Sequence, residues 1–379
     1  MSTPVRRLSL HPLSKYRLPC PRFNEPVELL SYSYDGQRKV CFDNRELKYY
    51  YPPSLKPEPC LFDGSEAQIR RDHTVNGHID GLLAALAHLR QSSSQPAGLF
   101  TDFVMYRGML TRIFVTPYSS RDSWTMNATR VGSTIYIEEN LTSDAIASRE
   151  GETDFHQKMM YSGYKFETLC VLDQPSQQLR HDGLLDSALH ARLNSTVDTN
   201  REYCSVFKTR LGSHSIISAA EVDCIDAEKP AIAPNRSYRE LKTSGILDTQ
   251  RKVESFERHK LLKFWAQSFI AGIPTVTVGF RDNSGMLHRV EDFKTQDMPR
   301  LVKHNNNSSS MWQANVCMNF ADQVLQHIKD CVADEGPETQ YRIAYDASSQ
   351  EIQVSELGQL EPFMTREYLA LISQTLAYH

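Results

Sequence analysis

Residues 216–224 read IISAAEVDC and residues 238–243 read YRELKT, and both runs carry acidic side chains among β-forming residues. In a strand, side chains two positions apart lie on the same face of the sheet. Glu221 and Asp223 would therefore share one face, and Glu240 and Lys242 would share another. Because acids are costly in such runs, these two segments decide which fold and which chemistry the sequence predicts.

The charges of the two runs indicate a metal site. Neighbouring carboxylates repel each other, so a strand that keeps two of them usually needs a cation, and oxygen ligands suit Mg²⁺ or Mn²⁺. An acid-x-acid motif followed on a neighbouring strand by acid-x-Lys is typical of metal-dependent nucleases, in which the lysine steadies charge developing on the phosphate. Each motif alone also fits the exposed face of an edge strand. Together, the two motifs favour a catalytic site.

Two further segments carry side chains that could complete such a site. The sequence predicts a strand over Phe103–Val115, which contains Arg107, because the segment ends before a proline. It predicts another strand over Tyr161–Glu167, in which alternation would place Lys165 and Glu167 on one face. For the second segment, an ordinary surface strand is the alternative interpretation.

A long helix is predicted over Val253–Ala271, ending before Gly272. Lys260, Lys263 and Gln267 would share one face of this helix. Residues 236–263 contain eight Lys and Arg against four Asp and Glu. RNA backbone could run along this basic face, although for each lysine taken singly a solvated helix face is the interpretation we favour.

The composition of the whole chain excludes several classes of protein. Its 379 residues include 42 Lys and Arg against 46 Asp and Glu, a net charge of -4, so the surface cannot bind polyanions everywhere. Hydrophobic residues make up 40% and charged residues 23%, which excludes a disordered or fibrous chain. No C-x-x-C pair, no secretory signal and no apolar run near ~20 residues are visible. We therefore expect an intracellular protein with reduced cysteines.

Helical and strand-like segments alternate without a regular βαβ order, so the sequence predicts a mixed α+β or α/β fold rather than a doubly wound one. Residues 171–203 are polar and aperiodic and are expected to form an excursion from the core. The other predicted elements are a strand near Val131–Ile137, hairpins over Thr275–Phe293 and Tyr341–Leu357, and helices at 76–90, 311–333 and 364–377.

With these residues in view, the chain resembles the DXO/RAI family of decapping nucleases and its fungal nuclear branch. The motifs that carry the resemblance occur in the family's order: aromatic-Arg-Gly (Tyr106, Arg107, Gly108), G-x-x-x-E (Gly163 to Glu167), Glu-x-Asp (Glu221, Asp223), Glu-x-Lys (Glu240, Lys242) and a helical glutamine (Gln267). The resemblance implies an α/β fold of the mixed α+β kind, with two twisted mixed β-sheets flanked by helices around a metal-dependent nuclease core. It also implies one nuclease domain over residues 1–379, in which residues 1–70 wrap around the domain and residues 100–293 carry the catalytic motifs.

The resemblance further implies a role for each motif residue. Divalent metal, as two Mg²⁺ or Mn²⁺ ions, would bind to Glu167, Glu221, Asp223, Glu240 and the carbonyl of Leu241. The substrate would be held by Lys242 and Gln267 at the scissile phosphate and by Arg107 at the RNA 5′ end. The catalytic set would be Glu221, Asp223, Glu240 and Lys242.

The implied function lies in quality control of RNA 5′ ends. The resemblance implies release of pyrophosphate from 5′-triphosphate RNA and removal of unmethylated or non-standard, NAD-type caps, leaving a 5′-monophosphate. It implies a nuclear location and a nuclear 5′ to 3′ exoribonuclease as partner, with neither membrane nor DNA bound. A non-catalytic scaffold that binds and stabilises the exoribonuclease is the second hypothesis. Four costly carboxylates kept with a lysine favour the enzyme.

Overall fold

The structure is a computed structural model that describes residues 5–92, 99–142, 153–226, 228–304 and 311–376. Two mixed β-sheets, one of ten strands and one of six, are formed by these residues. No helix within these ranges is long and apolar enough to cross a membrane. The division of residues 1–379 into a wrapping segment and a catalytic core of one domain stays a prediction.

The ten-stranded sheet is antiparallel except around its β5 strand, which pairs in parallel with both neighbours. Its strands, in spatial order, are β1 (Arg6–Ser9), β16 (Glu351–Gln359), β15 (Gly336–Asp346), β6 (Trp124–Val131), β7 (Thr134–Glu139), β5 (Phe103–Tyr106), β10 (His214–Glu221), β9 (Glu202–Leu211), β2 (Phe23–Tyr34) and β3 (Val40–Cys41).

The six-stranded sheet contains the Glu-x-Lys motif near its centre. Its strands, in spatial order, are β14 (Leu287–Lys294), β13 (Thr275–Arg281), β12 (Tyr238–Gly245), β11 (Cys224–Ile225), β4 (Tyr49–Tyr50) and β8 (Val171–Leu172). Strand β12 pairs in parallel with β13 and antiparallel with β11.

Helices cover the sheets and pack between them. The α-helices of the described residues are α1 (Asp80–Ser92), α2 (Arg107–Val115), α3 (Asp154–Leu169), α4 (Ser176–His181), α5 (Leu185–Leu193), α6 (Gln250–Ser255), α7 (Leu262–Ala271), α8 (Met298–His304), α9 (Ala314–Cys331) and α10 (Arg366–Leu376). A π-helical turn, Phe256–Leu261, joins α6 to α7. The largest cluster of buried apolar side chains draws on both sheets, for example on Ile216 of β10 and Val276 of β13.

The two sheets meet at the Glu-x-Asp motif. Strand β10 ends at Glu221 in the large sheet, and β11 begins at Cys224 in the small one. Between them, the N–H of Val222 donates to the carbonyl of Tyr203 over 2.8 Å. The run that the sequence predicts as one strand therefore changes sheets at its two acids, which places both acids at the seam.

Several predicted elements are confirmed by the structure. The mixed α/β class with two mixed sheets is correct, and both hairpins are present as β13–β14 and β15–β16. The helix predicted over Val253–Ala271 is helical throughout, although its first part is α6 and the π-turn. The predicted excursion at 171–203 contains α4 and α5, whose leucines form a small apolar cluster of their own with β8.

The strand predicted over Tyr161–Glu167 is wrong, because this segment belongs to helix α3. Its buried residues Tyr161, Ser162, Lys165, Phe166 and Leu169 recur at helical spacing, a pattern that the motif's alternation concealed. The side chain of Thr153 caps the helix by accepting a hydrogen bond from the N–H of His156.

The strand predicted over Phe103–Val115 is correct only for its first four residues. Strand β5 ends at Tyr106, and helix α2 begins at Arg107 because Met109, Leu110, Ile113 and Phe114 form one buried helical face. The single strand predicted near Val131–Ile137 spans the turn between two strands, β6 and β7. Gly132 in this turn has a positive φ of 61°.

Candidate active site

The centre of the site is a buried pair of carboxylates that share one lysine. The Nζ of Lys242 lies 2.7 Å from Oε1 of Glu240 and 3.7 Å from Oδ2 of Asp223. Alternation along β12 places Glu240 and Lys242 on one face. The intervening N–H of Leu241 donates to Oδ2 of Asp223 over 2.6 Å. The two motifs are thus joined through one backbone hydrogen bond and one ion pair.

That hydrogen bond also orients the carbonyl of Leu241. In a β-strand, the N–H and C=O of one residue point to the same side of the strand. Because the N–H of Leu241 faces Asp223, its carbonyl faces the same edge. The geometry is compatible with the predicted role of Leu241 as a metal ligand, which stays a prediction.

Glu167 and Glu221 complete a group of four carboxylates around Lys242. Burial, followed by the charge of Asp223, holds the pKa of Glu167 well above its ordinary value. Burial, Glu202 and Asp223 raise the pKa of Glu221 to about 8. These shifts mean that the carboxylates are close enough to repel each other, although Glu221 at the end of β10 is exposed and Glu167 is half-buried.

The positive charge of Lys242 lowers the pKa values of the other two carboxylates, Asp223 and Glu240, relative to burial alone. Burial, only partly offset by Lys242, raises the pKa of Asp223 to about 6. Burial alone would raise the pKa of Glu240, but Lys242 and Arg107 lower it below its ordinary value. Burial lowers the pKa of Lys242, but Glu240 and Asp223 outweigh that effect and raise it. Lys242 is therefore a permanent cation beside an ionised Glu240.

Arg107 and Gln267 lie on two helices that pack against each other. The first residue of α2, Arg107, has its Nη1 3.8 Å from Oε1 of Glu240. Gln267 belongs to α7, which meets α2 where the rings of Phe114 and Trp265 are 6.4 Å apart. Arg107 and Gln267 line the same large cavity, together with Glu221.

Two cavities meet at Glu202 and Glu221. The larger one, of about 1230 Å³, contains Arg107, Gln267 and Glu221. The smaller one, of about 480 Å³, is lined by Glu167, Glu221 and Asp223 and by the 171–203 segment. Glu202 and Glu221 line both cavities. A ligand can therefore approach the acids from two sides.

Two residues of this region were missed by the sequence analysis. Glu202 lies two positions before Cys204, which pairs with Glu221 across β9 and β10, so it is a diagonal neighbour of Glu221. Tyr164 precedes Glu167 by one helical turn and lines the smaller cavity. Burial and the charge of Glu221 raise the pKa of Tyr164, which keeps the phenol neutral. A helical interpretation of Tyr161–Glu167 would have found Tyr164.

The structure does not bring Lys260 or Lys263 into either cavity. The Nζ of Lys260 donates to the carbonyl of Thr243 over 3.1 Å, and Lys263 is exposed. The π-helical turn inserts extra backbone before α7 and changes the spacing on which the predicted face depended. Of the three predicted residues on this face, Gln267 alone lines a cavity wall. Lys165 is also absent from the site, because its Nζ donates to the carbonyl of Leu193.

The carboxylate group fits a divalent ion. Oε2 of Glu240 is buried and accepts no hydrogen bond from any described residue, although a buried carboxylate oxygen needs a partner. Oxygen donors of this kind suit Mg²⁺, Mn²⁺ and Ca²⁺. Within the described ranges, no three His, Cys, Asp or Glu side chains are arranged to hold a metal, and Lys242 instead lies between Glu240 and Asp223. Binding would therefore require the side chains to move.

Gly279 allows α3 to bring Glu167 to the sheet, and replacing it is expected to be costly. A Cβ on Gly279 of β13 would lie 2.5 Å from the ring of Phe166, the buried residue before Glu167. We expect Gly279→Ala to destabilise the protein by about 1–3 kcal/mol and to lower activity by displacing α3. Thermal unfolding and a hydrolysis assay check this, with Gly245→Ala as control because its Cβ would meet nothing within 4 Å. Equal melting temperatures for the two variants would contradict the close packing.

Comparisons with known proteins find a matching family and similar relatives. A family model described as "RAI1 like PD-(D/E)XK nuclease" matches residues 24–369. The "Decapping nuclease RAI1" of Neurospora crassa is 34% identical over 365 residues, which cover 95% of this chain and 85% of the relative.

Solved structures are similar over nearly the whole chain. The crystal structure of Candida albicans Rai1 in complex with pU5-Mn²⁺ has a TM-score of 0.88 at 25% identity and covers 98% of this chain and 100% of that one. Scheffersomyces stipitis Rai1 in complex with (3'-NADP)+ and calcium ion has a TM-score of 0.83 at 25% identity, with 97% and 100% covered.

Proposed function

Because this chain belongs to the RAI1-like PD-(D/E)XK nuclease family and is a decapping hydrolase that acts on RNA 5′ ends, we propose that it converts defective 5′ ends into 5′-monophosphates. Its substrates are 5′-triphosphate RNA, from which it releases pyrophosphate, and RNA with unmethylated or NAD-type caps. The observation that carries this proposal is the Glu240–Lys242–Asp223 core, which lies close to Glu221, a residue that lines both cavities.

The four carboxylates, Glu167, Glu221, Asp223 and Glu240, and the carbonyl of Leu241 would hold a divalent ion once their side chains have moved to face it. Candida albicans Rai1 was solved with Mn²⁺ and Scheffersomyces stipitis Rai1 with calcium, which supports a divalent metal here. When bound, the ion supplies positive charge at the scissile phosphate and lowers the pKa of a water molecule. We propose that two such ions bind, either Mg²⁺ or Mn²⁺.

The side chains around the acids would bind and orient the substrate. The Lys242 ammonium keeps its proton at neutral pH and can donate hydrogen bonds to a non-bridging oxygen of the scissile phosphate, whose charge grows during the reaction. Arg107, whose Nη1 is buried without a hydrogen-bond acceptor among the described residues, can bind the 5′ end, and Gln267 can donate its amide beside it.

The two cavities provide separate places for the two parts of the substrate. The RNA body would occupy the larger cavity, which contains Arg107 and Gln267, and the released unit would occupy the smaller one. The complexes of Rai1 relatives with pU5 and with (3'-NADP)+ support both an RNA strand and a dinucleotide unit as ligands.

We propose that the protein acts in the nucleus and that its partner is a nuclear 5′ to 3′ exoribonuclease. A 5′-monophosphate is the product that such a partner would take up. The alternative hypothesis, a scaffold without catalysis, gains no support from a lysine held by buried carboxylates, because burying charged groups costs stability and a protein-binding scaffold has no need of them.

Incubation with defined RNAs tests the proposed function. We expect the purified chain with Mg²⁺ or Mn²⁺ to release pyrophosphate from triphosphate RNA and intact NAD from NAD-capped RNA, as identified by mass spectrometry. EDTA should abolish both reactions, since the carboxylates alone provide no positive charge for the phosphate. RNA with a 5′-hydroxyl is the control. If every 5′ end remains intact with both metals, the scaffold hypothesis replaces the enzyme.

A further inference from the structure

We propose that the outer wall of the larger cavity is a binding subsite for the RNA body, formed by the guanidinium groups of Arg38 and Arg71 and the stacked rings of Phe42 and His88. We call these four residues the outer subsite. The proposal rests on the proposed function for the identity of its ligand, single-stranded RNA. It adds a place for nucleotides downstream of the cleaved 5′ end.

Arg38 is held rigidly at an energetically unfavourable backbone position. Its φ is 61°, in the left-handed region that costs a non-glycine residue about 1 kcal/mol. Its Nη1 lies 2.7 Å from Oε2 of Glu202 and 3.1 Å from the carbonyl of Asn200, and its guanidinium lies 3.7 Å from the ring centroid of Tyr34. These contacts fix the guanidinium in the cavity wall before any ligand arrives.

Arg71 adds a second positive charge beside Glu202, in a cavity wall that also contains acids such as Asp72 and Asp80. Its Nη1 is 3.6 Å from Oε1 of Glu202, so two arginines share a single carboxylate. One positive charge in this group of three residues is therefore not balanced within it. A guanidinium held in this way suits a phosphate oxygen of an RNA backbone.

Phe42 and His88 form an aromatic platform on the same wall. Their rings are stacked, with centroids 4.0 Å apart and an angle of 12° between planes. Phe42 is 43% exposed although it is a large apolar side chain, and both residues line the larger cavity. Exposed aromatic rings beside fixed arginines are typical of proteins that bind single-stranded nucleic acid, because every base can stack on them.

The size and continuity of the cavity favour a polymer over a small ligand. Its volume of about 1230 Å³ exceeds the ~300–1,000 Å³ of small-molecule sites and joins the outer subsite to Arg107 and Glu221. The basic helix face of Lys260 and Lys263 lines neither cavity. The path of the RNA body therefore follows the outer subsite.

The dependence of activity on RNA length tests this proposal. We expect the unmodified protein to prefer a triphosphate RNA of about twelve nucleotides over a triphosphate dinucleotide in kcat/KM. Phe42→Ala should reduce that preference about tenfold, the loss expected for one stacked base. Phe42 is half exposed, so its replacement should leave the fold intact.

The salt dependence of binding tests the arginines. Arg71→Gln should reduce the slope of log affinity against log salt concentration by about 0.7, the value for one phosphate contact to a single strand. Arg236→Gln is the matched control, because Arg236 also pairs with a glutamate, Glu25, but is 66% exposed and lines neither cavity.

Two outcomes would overturn the outer subsite. One is that Phe42→Ala and Arg71→Gln lower activity on both RNAs by the same factor, as a purely structural role predicts. The other is that neither variant differs from Arg236→Gln. If the unmodified protein hydrolyses neither RNA, the proposed function fails. Fluorescence anisotropy with labelled monophosphate RNA then still tests the subsite. Affinities of Phe42→Ala and Arg71→Gln equal to that of the unmodified protein would reject it, and weaker binding by both variants would support it.

Discussion

Asp223→Ala is expected to lower the hydrolysis of triphosphate RNA by about 10³-fold or more while the protein stays folded. Asp223 joins the two motifs through the N–H of Leu241 and faces the ammonium of Lys242. Its loss removes a carboxylate from the group that would hold the ion. Steady-state kinetics with saturating Mn²⁺ measure the effect.

The melting temperature of this variant separates catalysis from folding. Burial raises the pKa of Asp223 from 3.8 to about 6 and that of Glu221 from 4.5 to about 8. An acid whose pKa is raised on folding destabilises the folded protein as pH rises from its unfolded value through its folded value. At pH 7 in EDTA, Asp223→Ala should therefore melt no lower than the unmodified protein. A loss of activity accompanied by unfolding would contradict the catalytic role.

Two controls complete this test. Asp248→Asn, in which a half-exposed acid outside both cavities loses its charge, should retain activity. A Glu221→Ala, Asp223→Ala double variant should bind the exoribonuclease with unchanged affinity, because charged residues are depleted from interface cores. It should nevertheless fail to let that enzyme degrade triphosphate RNA. Normal degradation with the double variant would establish the scaffold hypothesis.

Lys242→Ala is expected to lower kcat by about 10²- to 10³-fold with a much smaller change in KM. The ammonium is held 2.7 Å from Glu240, so it needs no reorganisation when charge develops on the phosphate. The same variant leaves the carboxylate of Glu240, 2% exposed, without its closest cation. Removing one partner of a buried ion pair typically costs about 3–5 kcal/mol of stability.

Because Lys242→Ala combines two effects, Lys242→Arg is the matched variant. It keeps the charge beside Glu240 and should restore most of the melting temperature, but its planar fork cannot reproduce the position of the ammonium, so kcat should remain low. If Lys242→Ala raises KM and leaves kcat unchanged, Lys242 binds the RNA backbone and is not catalytic. Stopped assays at several RNA concentrations separate the two parameters.

Local pattern was sufficient to predict much of this protein. The alternation in Tyr238–Thr243 correctly placed Glu240 and Lys242 on one face of β12, and turn residues located both hairpins. Such features depend on neighbours within a few residues, which the sequence contains in full. The same method failed at Tyr161–Glu167, where a motif expected to alternate concealed the helical spacing of Tyr161, Lys165 and Phe166.

The convergence of the site depends on contacts between residues far apart in the chain. The change of sheet between Glu221 and Cys224 brings the acids to β12, and the absence of a side chain at Gly279 lets Phe166 bring α3 close. Arg38 and Glu202, 164 positions apart, meet only because β2 and β9 pair. Periodicity reports which face of an element is buried but carries no information about its partner. Packing of the two sheets and their helices therefore decides which charges share one low-dielectric space and which cavity the RNA can enter.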